Sequence, residues 1–455
     1  MTGFRIWAML LALGMLAACS GKVHETRLAN GLKIVVQEDH RSPVVVSQIW
    51  YKVGSVDEPA GLTGISHVLE HMMFKGTAKL KPNEFSRIVA EHGGRENAFT
   101  GRDYTAYFQQ WEKSRLPLSF ELEADRMQNL KINAEEFRKE VQVVLEERRL
   151  RTEDKPEGKV YEKFLATAFT AHTYGNPIIG SVRDLEALRV EDLERWYRQW
   201  YVPNNATLVV VGDVKPREVF DLAKKYFAAI PAGKLTPPAL PQEALQKEVR
   251  RVEVAVPAEV PYITLGFHVP SLAADGNVEP YALDVLAGVL SGGESARLVR
   301  NLVRGQQIAA AADCDYSMVS RYPFLLTLDA VPSSGVTMAQ LEAALWQEIE
   351  RLKREPIAPA ELERVKAQVV AQDVYARDST FNQAMVIGML ETTGLDWHYM
   401  DKYVKRIQAV TAEQVRAVAN KYLTQENMTV ATLKPLPLSK DAKRPRAGME
   451  SDHVR

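Results

Sequence analysis

The sequence predicts an α+β protein built from two similar halves, and two internal repeats with a connector between them carry that prediction. VSQIWYKVG at residues 46–54 is answered by YITLGFHVP at 262–270, each reading as a strand that leads through a loop into a helix. Each half then closes alike, on YVPNNATLV at 201–209 and YLTQENMTV at 422–430. Pro231, Pro237, Pro238 and Pro241 fall between, so residues 24–230 form one half, 231–247 a Pro-rich linker and 248–438 the other. With 455 residues, 46% hydrophobic and 25% charged, the chain can bury more than one core. The short polar stretch 439–455 reads as an unstructured tail.

Taken in order, residues 1–18 are a targeting segment and stand outside the fold. Arg5 supplies a positive start, residues 6–16 an apolar run, and Leu16, Ala17, Ala18 and Cys19 match the lipobox at which bacterial lipoprotein signals are cut. The match implies a lipid on Cys19 that tethers the protein to a membrane. Ser20 follows instead of an aspartate, which in the Gram-negative lipoprotein pattern favours the outer membrane, facing the periplasm. The alternatives are an ordinary secretory signal or an uncleaved anchor, although the apolar run is short for a spanning helix. With Cys19 modified only Cys314 remains, so no intrachain disulfide supports the fold.

Residues 65–73 read as a helix with two faces. At about 100° per residue, Ile65, Val68, Leu69, Met72 and Met73 share an apolar arc while His67, Glu70 and His71 gather opposite. His67 and His71 are one turn apart and can present ring nitrogens to one metal ion. Their order, H-x-x-E-H, inverts the commoner H-E-x-x-H zinc signature. A solvated face or a core histidine would explain one imidazole, but all three groups in register, in a chain with nine histidines, favour metal. Next, 96–100, 101–103 and 104–109 read as strand, turn and strand.

A further metal ligand has to come from another helix with a carboxylate on its buried side. Residues 137–150 offer one, its stripe made by Phe137, Val141, Val144 and Leu145 with Val143 at the margin. Glu140 and Glu147 fall in that stripe, and Glu146 points to solvent. Buried carboxylates need a cation, and either a metal or Arg148, near the same face, would answer. In the second half, residues 283–287 occupy the region of the metal helix without either histidine. The helix 361–377 there puts Val365 and Gln372 where the first half has Glu140 and Glu147, so one half only is expected to hold metal. Net charge is −1 with no basic stripe, which leaves no electrostatic footprint for nucleic acid.

GISHVLEHM at 64–72, GGRENAFT at 93–100, the pair Glu140 and Glu147, HTYG at 172–175, and YVPNN at 201–205 leading into VVVGD at 209–213 resemble the pitrilysin-like zinc metallopeptidases. That inverted-motif family includes the mitochondrial processing peptidase and insulin-degrading enzymes. The resemblance covers nearly the whole chain after the targeting segment. It implies that His67, His71 and Glu147 bind one Zn2+, that Glu70 is the general base, and that Glu140 supports the site from outside the ligand set. It also implies homologous halves, each an antiparallel-rich sheet covered by helices, enclosing a substrate chamber whose other wall is the metal-free half. Three protein ligands leave one position for water, whose proton Glu70 takes as the oxygen attacks a peptide carbonyl.

The same resemblance makes 96–100 an edge strand to which an extended peptide adds, with Asn97, Ala98 and Phe99 as substrate contacts. An ordinary hairpin whose Phe99 serves a core is the alternative, and His172 and Tyr174 are further candidates for the substrate role. One feature departs from the family. Active relatives carry in the second half an Arg and a Tyr seven residues apart that reach the substrate carbonyl; here Arg304 stands for the first and Ala311 for the second, with Tyr316 further along. The expected protein is a zinc metallopeptidase acting on peptides or unfolded protein segments in the periplasm. It is expected to form a dimer, with itself or with a paralogue that lacks the zinc motif and brings the missing pair. A non-catalytic scaffold subunit is the alternative.

Overall fold

The computed structural model describes residues 21–272 and 277–438; Cys19 with its targeting segment, and the tail 439–455, lie outside the described residues. Strands β1 (Val23–Arg27), β2 (Lys33–Glu38), β3 (Val44–Tyr51), β4 (Arg95–Thr100), β5 (Thr105–Glu112) and β6 (Ala206–Gly212) form one sheet in the order β1-β2-β6-β3-β5-β4. Strand β6, ATLVVVG, is buried at every position, as a central strand covered on both faces must be. Strands β7 (Arg250–Pro257), β8 (Tyr262–Val269), β9 (Ala309–Tyr316), β10 (Phe324–Pro332) and β11 (Met428–Leu436) form the second sheet, ordered β7-β11-β8-β10-β9. Without β1 the two orders coincide, and each has its parallel pair in the same place, β2 with β6 and β7 with β11. The repeats in the sequence are therefore β3 and β8, then β6 and β11.

Helices α1 (Ile65–Met72) and α2 (Glu84–Glu91) lie between β3 and β4. After β5 come α3 (Leu116–Asn129), α4 (Ala134–Arg148), α5 (Pro156–Ala168), α6 (Val182–Ala187) and α7 (Val190–Trp200), with α8 (Pro216–Phe227) after β6. The second half repeats the plan with α9 (Glu279–Ser291), α10 (Met338–Arg354), α11 (Pro359–Ala376), α12 (Thr380–Thr393), α13 (Tyr399–Ala409) and α14 (Ala412–Tyr422). Residues 231–247 connect the halves with no helix or strand.

One face of each sheet packs on helices of its own half. The other face is covered by a helix from the opposite half. Val160, Phe164 and Leu165 of α5 pack with Leu325, Ala431 and Leu433 of the second sheet. In return Ala384 and Ile387 of α12 pack on Val46, Trp50 and Val209 of the first. The two crossings are mirror images in size. Trp50, fifth residue of its repeat, presses against Gly388 of α12, where a Cβ would stand 2.0 Å from the indole. The matching fifth residue in β8 is Gly266, and there a Cβ would stand 2.3 Å from the ring of Phe164, which occupies in α5 the place that Gly388 has in α12. A large residue on the first sheet thus meets a small one on the helix, and the second crossing reverses them. Lys33 with Glu391, and Arg41 with Asp378, add ion pairs between the halves.

Candidate metal centre

Helix α1 starts at Gly64, whose φ of +88° and whose crowding against the Ile179 carbonyl both require glycine. The Glu58 carboxylate caps it, accepting from the Gly64 and Ser66 N–H groups at 2.8 and 2.9 Å. Burial pushes the Glu58 carboxyl up to about 8, opposed by those donors. Ile65, Val68, Leu69 and Met72 enter the core as their arc dictates, but His67 and Glu70 are buried as well. The polar face of α1 is therefore an interior face.

Helix α4 begins at Asn133, whose side chain accepts from the Glu135 and Glu136 N–H groups. Phe137, Val141 and Val144 are buried with Glu140, and Val143 is exposed. The α-helix ends at Arg148 and passes into a wide π turn over Arg149–Glu153, where the sequence predicts continued helix to 150. Arg148 turns to Glu162 and to the Gly180 carbonyl, each at 2.8 Å. It neutralises neither Glu140 nor Glu147, against the alternative weighed from the sequence. The cations beside them are Lys75, 2.9 Å from Glu140, and Arg151, 2.7 Å from Glu147.

Together α1 and α4 bring His67, His71 and Glu147 to one point, with a donor atom from each within 4.8 Å of the others. The Glu147 Oε2 atom lies 3.4 Å from His71 Nε2 and 3.8 Å from His67 Nε2. Tetrahedral zinc with bonds of about 2.0–2.2 Å sets its ligand atoms about 3.4 Å apart, so the donor set fits that ion. Burial holds His67 down to about 3, keeping its imidazole neutral as a ligand must be. For His71 burial is overcome by Glu140 and Glu147, which hold it up to about 9. Glu140 Oε2 is 3.1 Å from His71 Nδ1 and so fixes which ring nitrogen faces Glu147. Burial pushes Glu70 up to about 7 although the Thr100 hydroxyl, at 2.6 Å, favours the anion.

Thr100 ends β4, the terminal strand of its sheet, whose outer edge has no strand partner among the described residues. Asn97 joins Glu70, His71, Phe74, Lys75 and Glu140 around a cavity of about 350 Å3. Ala98 is 1% exposed, so only its main chain is open to a ligand, whereas Phe99 is half-buried and packs edge-on against Trp50 and Tyr104. His172 and Tyr174 are also internal: the His172 ring accepts from the Tyr174 N–H, and the Tyr174 hydroxyl donates to Asp103 at 2.6 Å. Arg304 is exposed and paired with Glu294. Ala311 is exposed on β9, and the Tyr316 hydroxyl donates to the Pro270 carbonyl. Sequence reasoning missed Thr100, Lys75, Arg151 and Glu58; the one available signal was helical spacing, which puts Lys75 a turn beyond His71 and Arg151 a turn beyond Glu147.

Two histidines a turn apart, a glutamate from a second helix and a buried carboxylate beside them, all in one of two duplicated halves, match the arrangement of the inverted-motif metallopeptidases. The chain belongs to peptidase family M16. The family model described as Insulinase (Peptidase family M16) matches residues 33–182, and that described as Peptidase M16 inactive domain matches 187–369. Over 417 residues the chain is 32% identical to the zinc protease PqqE of Helicobacter pylori, covering 90% of this chain and 93% of that protein. A crystal structure of a protease from Helicobacter pylori matches with a TM-score of 0.87 at 30% identity, over 91% of this chain and 100% of that one. The periplasmic protease PqqL from Escherichia coli shares the fold at a TM-score of 0.79 and 18% identity, over 92% of this chain and 49% of its own.

Proposed function

We propose that this chain is a zinc-dependent metallopeptidase that cleaves extended peptides or unfolded protein segments. The observation that carries the proposal is the convergence of His67, His71 and Glu147 with Glu70 alongside, next to an open strand edge. His67, His71 and Glu147 would hold a zinc ion, which when bound would supply Lewis acidity to the attacking water and the peptide carbonyl. Glu70 takes the proton of the attacking water and returns it to the leaving amine. Thr100 holds the Glu70 carboxylate in place at 2.6 Å, and Glu140 holds His71. The outer edge of β4 receives the substrate as an added strand through main-chain hydrogen bonds.

The proposed address is the bacterial envelope, with the protein lipid-anchored at Cys19 and facing the periplasm. The proposed assembly is a dimer with a paralogue that lacks the zinc motif and contributes an Arg and a Tyr. Its support is that Ala311 stands at the tyrosine position, while Tyr316 is turned to its own half.

The test compares the purified chain with Glu70→Gln, adding candidate partners to each. Glu70→Gln should keep one zinc per chain and lose at least about 100-fold in cleavage of an unstructured peptide. His67→Ala, His71→Ala and Glu147→Gln should lose the metal as well. Wild-type turnover in Glu70→Gln would overturn the mechanism, and full activity of the chain alone, unchanged by any partner, would remove the paralogue.

A further inference from the structure

One loop of the metal-free half reaches into the metal half. Between β9 and β10, the Arg321 guanidinium meets both oxygens of Asp57 at 2.8 and 3.0 Å. The Arg321 main-chain N–H donates to Asp103 at 3.0 Å, on the carboxylate that also accepts from Tyr174. Asp57 is 2% and Asp103 5% exposed, so the clasp is made out of water, where charge-assisted hydrogen bonds are strong and directional.

Each acidic partner leads to one wall of the candidate metal centre. Asp57 adjoins Glu58, the cap of the helix that carries His67, Glu70 and His71. Asp103 sits in the turn that follows Thr100. That turn is itself bound to the Asp57 segment, through Ser55 N–H to the Gly101 carbonyl at 3.2 Å and Val56 N–H to the Arg102 carbonyl at 3.0 Å. The helix that bears Glu70 and the strand that bears its partner Thr100 are thus both registered against one arginine from the opposite half.

We propose that Arg321 is a positioning residue for Glu70 and Thr100, through which the metal-free half sets the catalytic geometry of the other. The proposal rests on the peptidase reading above. A shift of about 1 Å between reacting groups is worth on the order of 100-fold in rate, and the clasp adds a buried charge-assisted tie to the direct main-chain hydrogen bonds that join the segment before α1 to the turn after β4.

Arg321→Met, Arg321→Lys and Asp57→Asn test it in the zinc-loaded chain, with its partner if one is needed. In Arg321→Met, kcat on an unstructured peptide should fall about 10- to 100-fold while KM stays within about threefold. Zinc content should remain one per chain. Asp57→Asn should give a similar loss, and the double variant no more than either single, because both act through one contact. Arg41→Met, which breaks an exposed ion pair between the halves elsewhere, should leave kcat unchanged.

Amide hydrogen exchange supplies a readout independent of turnover. Residues 64–72 and 95–103 should exchange faster in Arg321→Met, and residues 338–354 of its own half should not. If Arg321→Met fails to fold, Arg321→Lys decides, with a smaller kcat loss and the same exchange pattern expected. Unchanged kcat and unchanged exchange in the folded variants, or losses that add in the double variant, would overturn the proposal. Absence of peptidase activity in the wild type would sink the peptidase reading, and the exchange pattern would still decide the registration of α1 and β4.

Discussion

Replacing Gly388 by alanine tests the crossed packing at its tightest point. In an unconstrained helix the change is favourable by about 1 kcal/mol. Here the new Cβ would stand 2.0 Å from the Trp50 ring, where carbons in contact keep about 3.5–4.0 Å, so helix and strand must part by about 1.5 Å or the indole must turn. The indole is held: it is fully buried, its Nε1 donates to Gln48 at 2.9 Å, and Phe99 and Tyr104 meet it edge-on. Overpacking of this severity falls toward the upper end of about 1–3 kcal/mol. The net expectation is a loss of about 1–2 kcal/mol, read in a chain of 455 residues as a melting temperature lower by about 1–2 °C. Thermal melting of the zinc-loaded chain by circular dichroism measures it. The same substitution made in a Trp50→Leu background should raise the melting temperature of that background, because the helix gain is then unopposed. If Gly388→Ala alone raises the melting temperature, the packing argument fails.

Glu140→Gln should weaken zinc binding about 10- to 100-fold in chelator competition, since Glu140 orients His71, whereas Glu146→Gln on the exposed side should change nothing. Equal affinities for the two variants would contradict the assignment. Glu243 in the linker concerns stability: burial pushes its carboxyl up, but the Ala171 and His172 N–H groups and Thr170 hold it down to about 2. Folding therefore favours its anion, a contribution present above the unfolded value of about 4.3 and lost as pH falls toward 2. Glu243→Gln should lower the melting temperature at pH 7, with the gap to wild type closing between about pH 4 and pH 2; a gap equally wide at pH 7 and at the acid end would count against it.

What could be read in the sequence was what local periodicity encodes. The i, i+4 spacing of His67 and His71, and the seven-residue spacing of Glu140 and Glu147, placed each pair on one helix face, and the structure brings those faces together. The repeat located equivalent strands because its two copies, β3 and β8, hold the same place in their sheets and are each buried along nearly their whole length. Contacts set by tertiary packing were illegible. An apolar stripe on α5 says that something covers it and not that the cover is the opposite sheet. Arg148 is the alternative to a metal for Glu140 and Glu147 by sequence position, but side-chain direction sends it to Glu162. The packing of the half-buried Phe99 ring on Trp50 is likewise a contact that no local spacing encodes.

The exchange of covering helices also bears on how the molecule can move. A hinge opens along a surface that is cheap to expose, and the two helix-on-sheet crossings between these halves are not such a surface. Drawing them apart would uncover Val160, Phe164, Ala384, Ile387 and Trp50 together, at about 1.5–3 kcal/mol for each large apolar side chain. The pair of sheets therefore behaves as a single rigid frame. Under the proposed function a substrate would reach Glu70 along the rim, across the free side of β4, and motions that admit it would belong to elements other than this boundary.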